Sequence, residues 1–186
     1  MQHKRLLQIG LAMLALMVMT SVALTRANAS SPTGTIVETL RQGLVRFQDV
    51  ETAKKEGYGL FHGCMSSPQS GAMGVHYVNG DLVGDGEVDA LHPEAVLYQP
   101  KDGKLQLVAV EYVVFAEAWD AKHDGPPMVM GQMFNFTGAP NRLRLPAYYY
   151  LHVWAWQSNP SGMFADFNPK VSCDAYVSDA EMEAHQ

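Results

Sequence analysis

The spacing of apolar residues changes near residue 57 and divides the chain into a helical part and a β part. In TIVETLRQGLVRFQDVETAKKEGYG, starting at Thr35, residues Val37, Leu40, Leu44 and Phe47 recur at the spacing that lays side chains along one face of an α-helix. Thr35 and Glu38 have the spacing of a capping box and predict the helix start, while Gly57 and Gly59 predict its end. Lys54 and Lys55 complement the C-terminal carbonyls of such a helix and read as a solvated face.

Beyond that point short runs rich in Val, Tyr and Trp alternate with Gly, Pro, Asn and Asp clusters, the pattern of strands and turns. MGVHYVN (73–79), EAVLYQP (94–100), LQLVAVEYVVF (105–115) and YYYLHVWAW (148–156) are the four best predicted strands. A Lys-Asp-Gly turn between the second and third predicts an antiparallel hairpin. Residues 116–147 form a long connection bearing Pro and Gly, which at that length is either a functional lid or a host for short elements. Together these elements predict an α+β fold, with an N-terminal helix packed on a mainly antiparallel β-sheet in a single domain with long irregular connections.

The N-terminus narrows the domain. Lys4 and Arg5 precede an apolar run from Leu6 to Leu24, and Ala27 and Ala29 follow in an A-x-A arrangement, the layout of a secretory signal peptide spanning 1–29. A membrane anchor is the competing reading, because the run approaches the roughly 20 residues that span a bilayer. Small residues at the cleavage positions and the polar Ser-Ser-Pro-Thr stretch favour the signal peptide, leaving residues 30–186 as the domain and no membrane association after cleavage. That mature part carries 10 basic and 19 acidic residues, and a surface so acidic repels phosphate backbones, so nucleic acid is an unfavourable partner.

Export to the periplasm or the medium implies an oxidising compartment, and the chain has an even pair of cysteines, Cys64 and Cys173. A disulfide between them is expected. The alternative is a nucleophilic Cys64 served by His62 in FHGCMSS, which leaves Cys173 without a role.

Three ionisable residues stand alone in apolar strand runs: His76, Glu111 and His152. Burying such groups separately is costly, so their convergence in one polar pocket is expected if the strands are neighbours in matching register. Two imidazoles and a carboxylate form a competent ligand set for a divalent transition metal, zinc or copper, with positions left for water or substrate. Without a metal, a His–Glu hydrogen bond would favour the imidazolium. The competing reading satisfies each residue separately, with Glu111 bonded to Arg142, Arg144 or a Trp N–H and each histidine bonded to a Tyr hydroxyl or the backbone. No short motif such as H-E-x-x-H selects the metal.

Other features weigh less. Asp81, Asp85, Glu87, Asp89 and Glu94 have a calcium-like composition but not the ligand spacing of an EF-hand loop, and they read as a solvated acidic turn. Met65, Met73, Met128, Met130, Met133 and Met163 offer soft copper ligands, although methionines at such spacing usually pack cores or lids. The aromatics from Tyr148 to Trp156 suit a core, an apolar ligand pocket or a sugar-stacking surface.

The stretches GAMGVHYVN, HPEAVLYQP, LVAVEYVVF, YLHVWAWQSNP and SGMFADFNPKVSC, together with FQDVETAKKEGY, resemble a family of exported bacterial hypothetical proteins over nearly all of the mature chain. The resemblance implies export and no particular activity, and it favours His76, Glu111 and His152 over His62 as site residues. The first functional expectation is therefore a small exported binding protein for a small molecule or metal, centred on His76, Glu111 and His152. The alternative is an exported hydrolase or lyase, metal-dependent or using a His/Glu acid–base pair. It ranks second because no nucleophile motif such as G-x-S-x-G is present. A structural or interaction domain without a pocket is the third reading.

Overall fold

The apolar residues Leu40, Leu44, Phe47, Val50 and Ala53 are all buried, yet their spacing tightens from four to three. On one continuous α-helix that tightening would rotate Val50 and Ala53 off the buried face, because each turn takes 3.6 residues. The chain breaks the helix instead. In the computed structural model, which describes residues 32–178, α1 spans Pro32–Gly43, a 3₁₀ turn spans Val45–Gln48, and α2 spans Val50–Lys55. The single predicted helix is thus three pieces, and Thr35 lies inside α1 rather than at its start. Asp49 restarts the helix by accepting from the Glu51 backbone N–H at 3.1 Å and the Thr52 hydroxyl at 3.0 Å.

The β part is a curled, six-stranded sheet in which every neighbouring pair is antiparallel. Its strands are β1 (Gly59–Ser67), β2 (Gly71–Val78), β3 (Ala95–Lys101), β4 (Lys104–Phe115), β7 (Asn135–Thr137) and β8 (Tyr148–Val153), in the order β1-β2-β3-β4-β8-β7. A short helix α3 (Gly80–Gly84) joins β2 to β3. All four predicted strands are present, and the predicted turn is a two-residue loop with both φ angles positive, 53° at Asp102 and 72° at Gly103. Strand β1 escaped prediction because it is irregular, with its register against β2 shifting between Phe61 and Met65 and His62 at a φ of 56°.

The long connection hides short elements: α4 (Ala116–Asp120), a two-stranded hairpin of β5 (Met128–Val129) and β6 (Gln132–Met133), and then β7. A mainly antiparallel sheet with a few helices agrees with the α+β expectation. The expected signal peptide, residues 1–29, lies outside the described residues. Among those described, no helix is long and apolar enough to cross a membrane.

The two faces of the sheet carry different residue sets. One packs Val75, Tyr77, Val96, Tyr98, Val110, Tyr112, Leu151 and Val153 into a core shared with Leu40, Leu44 and Phe47. On the other, Ala95, Leu97, Val108, Ala109 and Trp154 form a smaller cluster with Val171 from the C-terminal segment. That segment is fastened twice. Cys173 is bonded to Cys64 of β1 across 109 residues, with Cα atoms 5.7 Å apart, as expected from the even pair. Asn168 also exchanges backbone hydrogen bonds with Ala72 of β2, at 3.0 and 3.2 Å. The approach at Gly71 is so close that a Cβ would collide with the Asn168 carbonyl, and the φ there is 85°.

Candidate metal centre

Alternation along β8 turns Tyr148, Tyr150, His152 and Trp154 to one side of the sheet and Tyr149, Leu151 and Val153 to the other. His152 faces Glu111 of β4 directly in the register, and Glu111 in turn faces Ala95 of β3. His76 of β2 faces Leu97, two residues along β3 from Ala95 and hence on the same side. The methyl group of Ala95 leaves the space over β3 open, so His76 and Glu111 meet across an intervening strand. Strand spacing of roughly 4.8 Å would otherwise put a side chain between them.

The predicted trio therefore converges. His76 Nε2 lies 3.5 Å from Glu111 Oε2, and His152 Nδ1 lies 3.5 Å from Glu111 Oε1. One ligand atom from each residue can be chosen so that all lie within 4.8 Å of one another. The two imidazoles are 2% and 1% exposed, and all four of their ring nitrogens lack a hydrogen-bond partner. The rings stand nearly perpendicular, 6.0 Å between centroids.

The expected His–Glu hydrogen bond, with its stabilised imidazolium, is not formed. Burial instead pushes both imidazoles well below their usual pKa, and at His76 it outweighs the Gly74 carbonyl, which favours the cation without reaching hydrogen-bond geometry. Burial, reinforced by the negative charge of Asp166, raises Glu111 to about 8. Desolvation thus decides against the ion pair and leaves neutral groups at neutral pH.

The trio lines a cavity of about 770 Å³. Apolar residues from β1, β2 and β4 form much of its wall, including Leu60, Phe61, Val78, Val113 and Phe115. The end of the long connection contributes Asn141, Arg142, Leu143 and Leu145. Asn141 organises this loop: its Nδ2 donates to the carbonyls of Gly138 and Leu145 at 3.0 and 2.9 Å, and its Oδ1 accepts from the N–H groups of Leu143 and Leu145. Arg142 borders the cavity but makes no ion pair with Glu111, and Arg144 is exposed on the same loop, so neither supplies the separate partner considered for that carboxyl.

Asp166, from the C-terminal segment, was missed by sequence reasoning. Its Oδ1 lies 3.8 Å from His152 Nδ1, and its Oδ2 accepts from the Tyr150 hydroxyl at 3.3 Å. Nothing about the local sequence FADFN marks it, because a fold-back after β8 brings it to the site. The backbone bond from Trp154 N–H to the Met163 carbonyl at 3.0 Å and the indole bond to the Ala165 carbonyl at 2.6 Å hold that fold-back.

Other candidates fall elsewhere. Cys64 is bonded, so the nucleophile reading with His62 ends, and His62 sits at the irregularity of β1 beside Phe61. In the acidic stretch Asp85 and Asp89 accept from backbone N–H groups two residues ahead, and Glu87 pairs with Lys122 at 2.8 Å, as befits a solvated turn. Glu94 departs from that reading: it is 2% exposed and accepts from the Val113 N–H at 2.9 Å, where β4 runs past the start of β3. Met65 and Met73 line the cavity, whereas Met128 and Met133 are exposed partners on the β5–β6 hairpin.

Compared with models of protein families, with curated proteins and with solved structures, the chain gives no match.

Proposed function

We propose that this chain is an exported binding protein that holds a divalent transition metal, zinc before copper, on His76, Glu111 and His152 at the base of an apolar cavity. The observation that carries the reading is the pair of buried imidazoles whose four nitrogens have no partner, converging on one carboxyl. A buried polar group left unsatisfied costs about 1–3 kcal/mol, a cost that a metal would offset. The spacing supports it: ligand atoms about 2.1 Å from a tetrahedral zinc lie roughly 3.4 Å apart. The two histidine–Glu111 contacts, to different carboxylate oxygens, are each 3.5 Å, and one ligand atom from each of the three residues lies within 4.8 Å of the others. Three protein ligands would leave a tetrahedral metal one further position, and all three residues line the cavity, as an open rather than a closed zinc site requires. The disulfide suits an oxidising compartment, which supports the export part of the reading.

The test is zinc and copper titration of the mature protein beside elemental analysis of protein recovered from the periplasm. One equivalent bound by the wild type, and at least a hundredfold weaker binding by His152→Leu and Glu111→Gln, is the expected result. Metal-free protein with no saturable binding would return the trio to the core.

A second reading, a metal-dependent hydrolase, is favoured by one observation: Asp166 stands 3.8 Å from His152, a carboxylate that would serve as general base if a metal held by the trio carried a water. Turnover of activated esters by the zinc-loaded protein, lost in Asp166→Asn with metal stoichiometry unchanged, would select it.

A further inference from the structure

The cavity above the trio has two features that a metal alone does not use. Its wall is apolar on the β1, β2 and β4 sides, with Leu60, Phe61, Val113 and Phe115 among its lining residues, and its volume of about 770 Å³ lies in the range that encloses a small organic molecule. Its lining also carries one cation, Arg142, in addition to the acidic Asp166 beside His152. Arg142 lines the cavity, and among the described residues its guanidinium makes neither an ion pair nor a hydrogen bond. It is close enough to the base for its charge to act on His76 and Tyr148. Arg46, Lys54 and Lys122 are engaged in local pairs with Glu56, Glu51 and Glu87, and Arg142 is the cation that lines this cavity.

We propose that the cavity takes a small amphipathic carboxylic acid, its head group held between Arg142 and the His76–Glu111–His152 base and its hydrocarbon body laid against Phe61, Val113 and Phe115. The chemistry of each part selects the class. A guanidinium presents a planar fork that fits a carboxylate in two parallel hydrogen bonds, and a divalent metal with an open position accepts the same anion. Neither contact favours an alcohol or an alkane equally, so the head group fixes orientation while the wall supplies most of the affinity through burial of apolar surface. The loop that carries Arg142 is already fixed by the four hydrogen bonds of Asn141, so little ordering remains to be done on binding. A polar ligand such as a sugar would leave its hydroxyls facing that apolar wall without partners, which burial penalises. One of the two head-group contacts rests on the metal reading above; the Arg142 contact does not.

Isothermal titration of the full mature protein with decanoate and with decan-1-ol, in zinc-loaded and chelator-treated forms, tests the inference. Decanoate should bind one to one and at least tenfold more tightly than the alcohol. Arg142→Gln, a change at an exposed loop position, should abolish most of that preference while leaving the alcohol's affinity and the thermal midpoint in place. Equal affinities for acid and alcohol, no saturable binding of either, or an Arg142→Gln variant that keeps the full preference would each overturn it. Absence of zinc binding with the acid preference intact would sink the metal reading alone, because the Arg142 arm is read in the chelated protein.

Discussion

Leu151 and His152 are adjacent, equally buried, and belong to opposite faces of the same sheet. On the face of Leu151 three tyrosine hydroxyls are provided for, those of Tyr58, Tyr98 and Tyr112 donating to the carbonyls of Pro93, Phe47 and Ala90, each at 2.7 Å, while the Trp156 indole N–H packed against that core is buried without a partner. On the face of His152 two imidazoles are buried without hydrogen bonds at the wall of a cavity. The first face largely follows the ordinary rule that a buried polar group finds a partner. The second breaks it four times, at the ring nitrogens of His76 and His152 beside the cavity, and it is this concentration that carries the metal reading proposed above.

The comparison can be broken most forcefully at the disulfide, which ties β1 to the segment bearing Asp166 and so holds one wall of the open face. Replacing both Cys64 and Cys173 by Ala should cost roughly 4–5 kcal/mol by the loop-entropy account. Denaturant titration in oxidising buffer would detect it, and a loss under 1 kcal/mol would show that the wall is held by packing alone. Leu151→Ala should cost about 2–5 kcal/mol through lost burial and a residual cavity, with metal affinity within twofold of the wild type. A large drop in affinity would mean that the two faces are not independent.

Glu94 provides a check on buried charge away from the trio. Burial raises it to about 8 from an ordinary 4.5, against the opposing Val113 N–H, with Asp85 and Glu111 adding to the rise; Tyr58 and Tyr112 also feel its charge. Between those two values the folded chain holds a proton that the unfolded chain has released, so this group's contribution to stability falls as pH rises. Glu94→Gln keeps an acceptor for Val113 and removes the titration. Its stability relative to the wild type should therefore improve by about 2 kcal/mol from pH 5 to pH 7. Parallel stability curves for the two proteins over that range would contradict the shift.

A comparably small effect is the most discriminating. His152→Leu replaces an unsatisfied buried imidazole by an apolar side chain and should stabilise the metal-free protein by about 1–3 kcal/mol, even as metal binding is lost. If His152 were merely a satisfied core histidine, the same change would destabilise. Thermal melts of both proteins in chelator decide between the two.

Four strands, the Asp-Gly hairpin, the cysteine pairing and the three ionisable residues were legible because each is carried by a local pattern: alternation, turn chemistry, redox context, or a lone charge in an apolar run. Strand β1 was hidden by its irregular register, and the helix break was hidden because a tightening from four to three looks helical over any single turn. Asp166, Asn141 and the burial of Glu94 had no local signature at all. Sequence alone thus determined which residues are too costly to bury apart. Tertiary structure decided that they are buried together, because the register of β2, β3, β4 and β8 and the small size of Ala95 bring residues 76, 111 and 152 to one point. It likewise decided the company they keep, since the fold-back that delivers Asp166 depends on closure across many residues that no local spacing encodes.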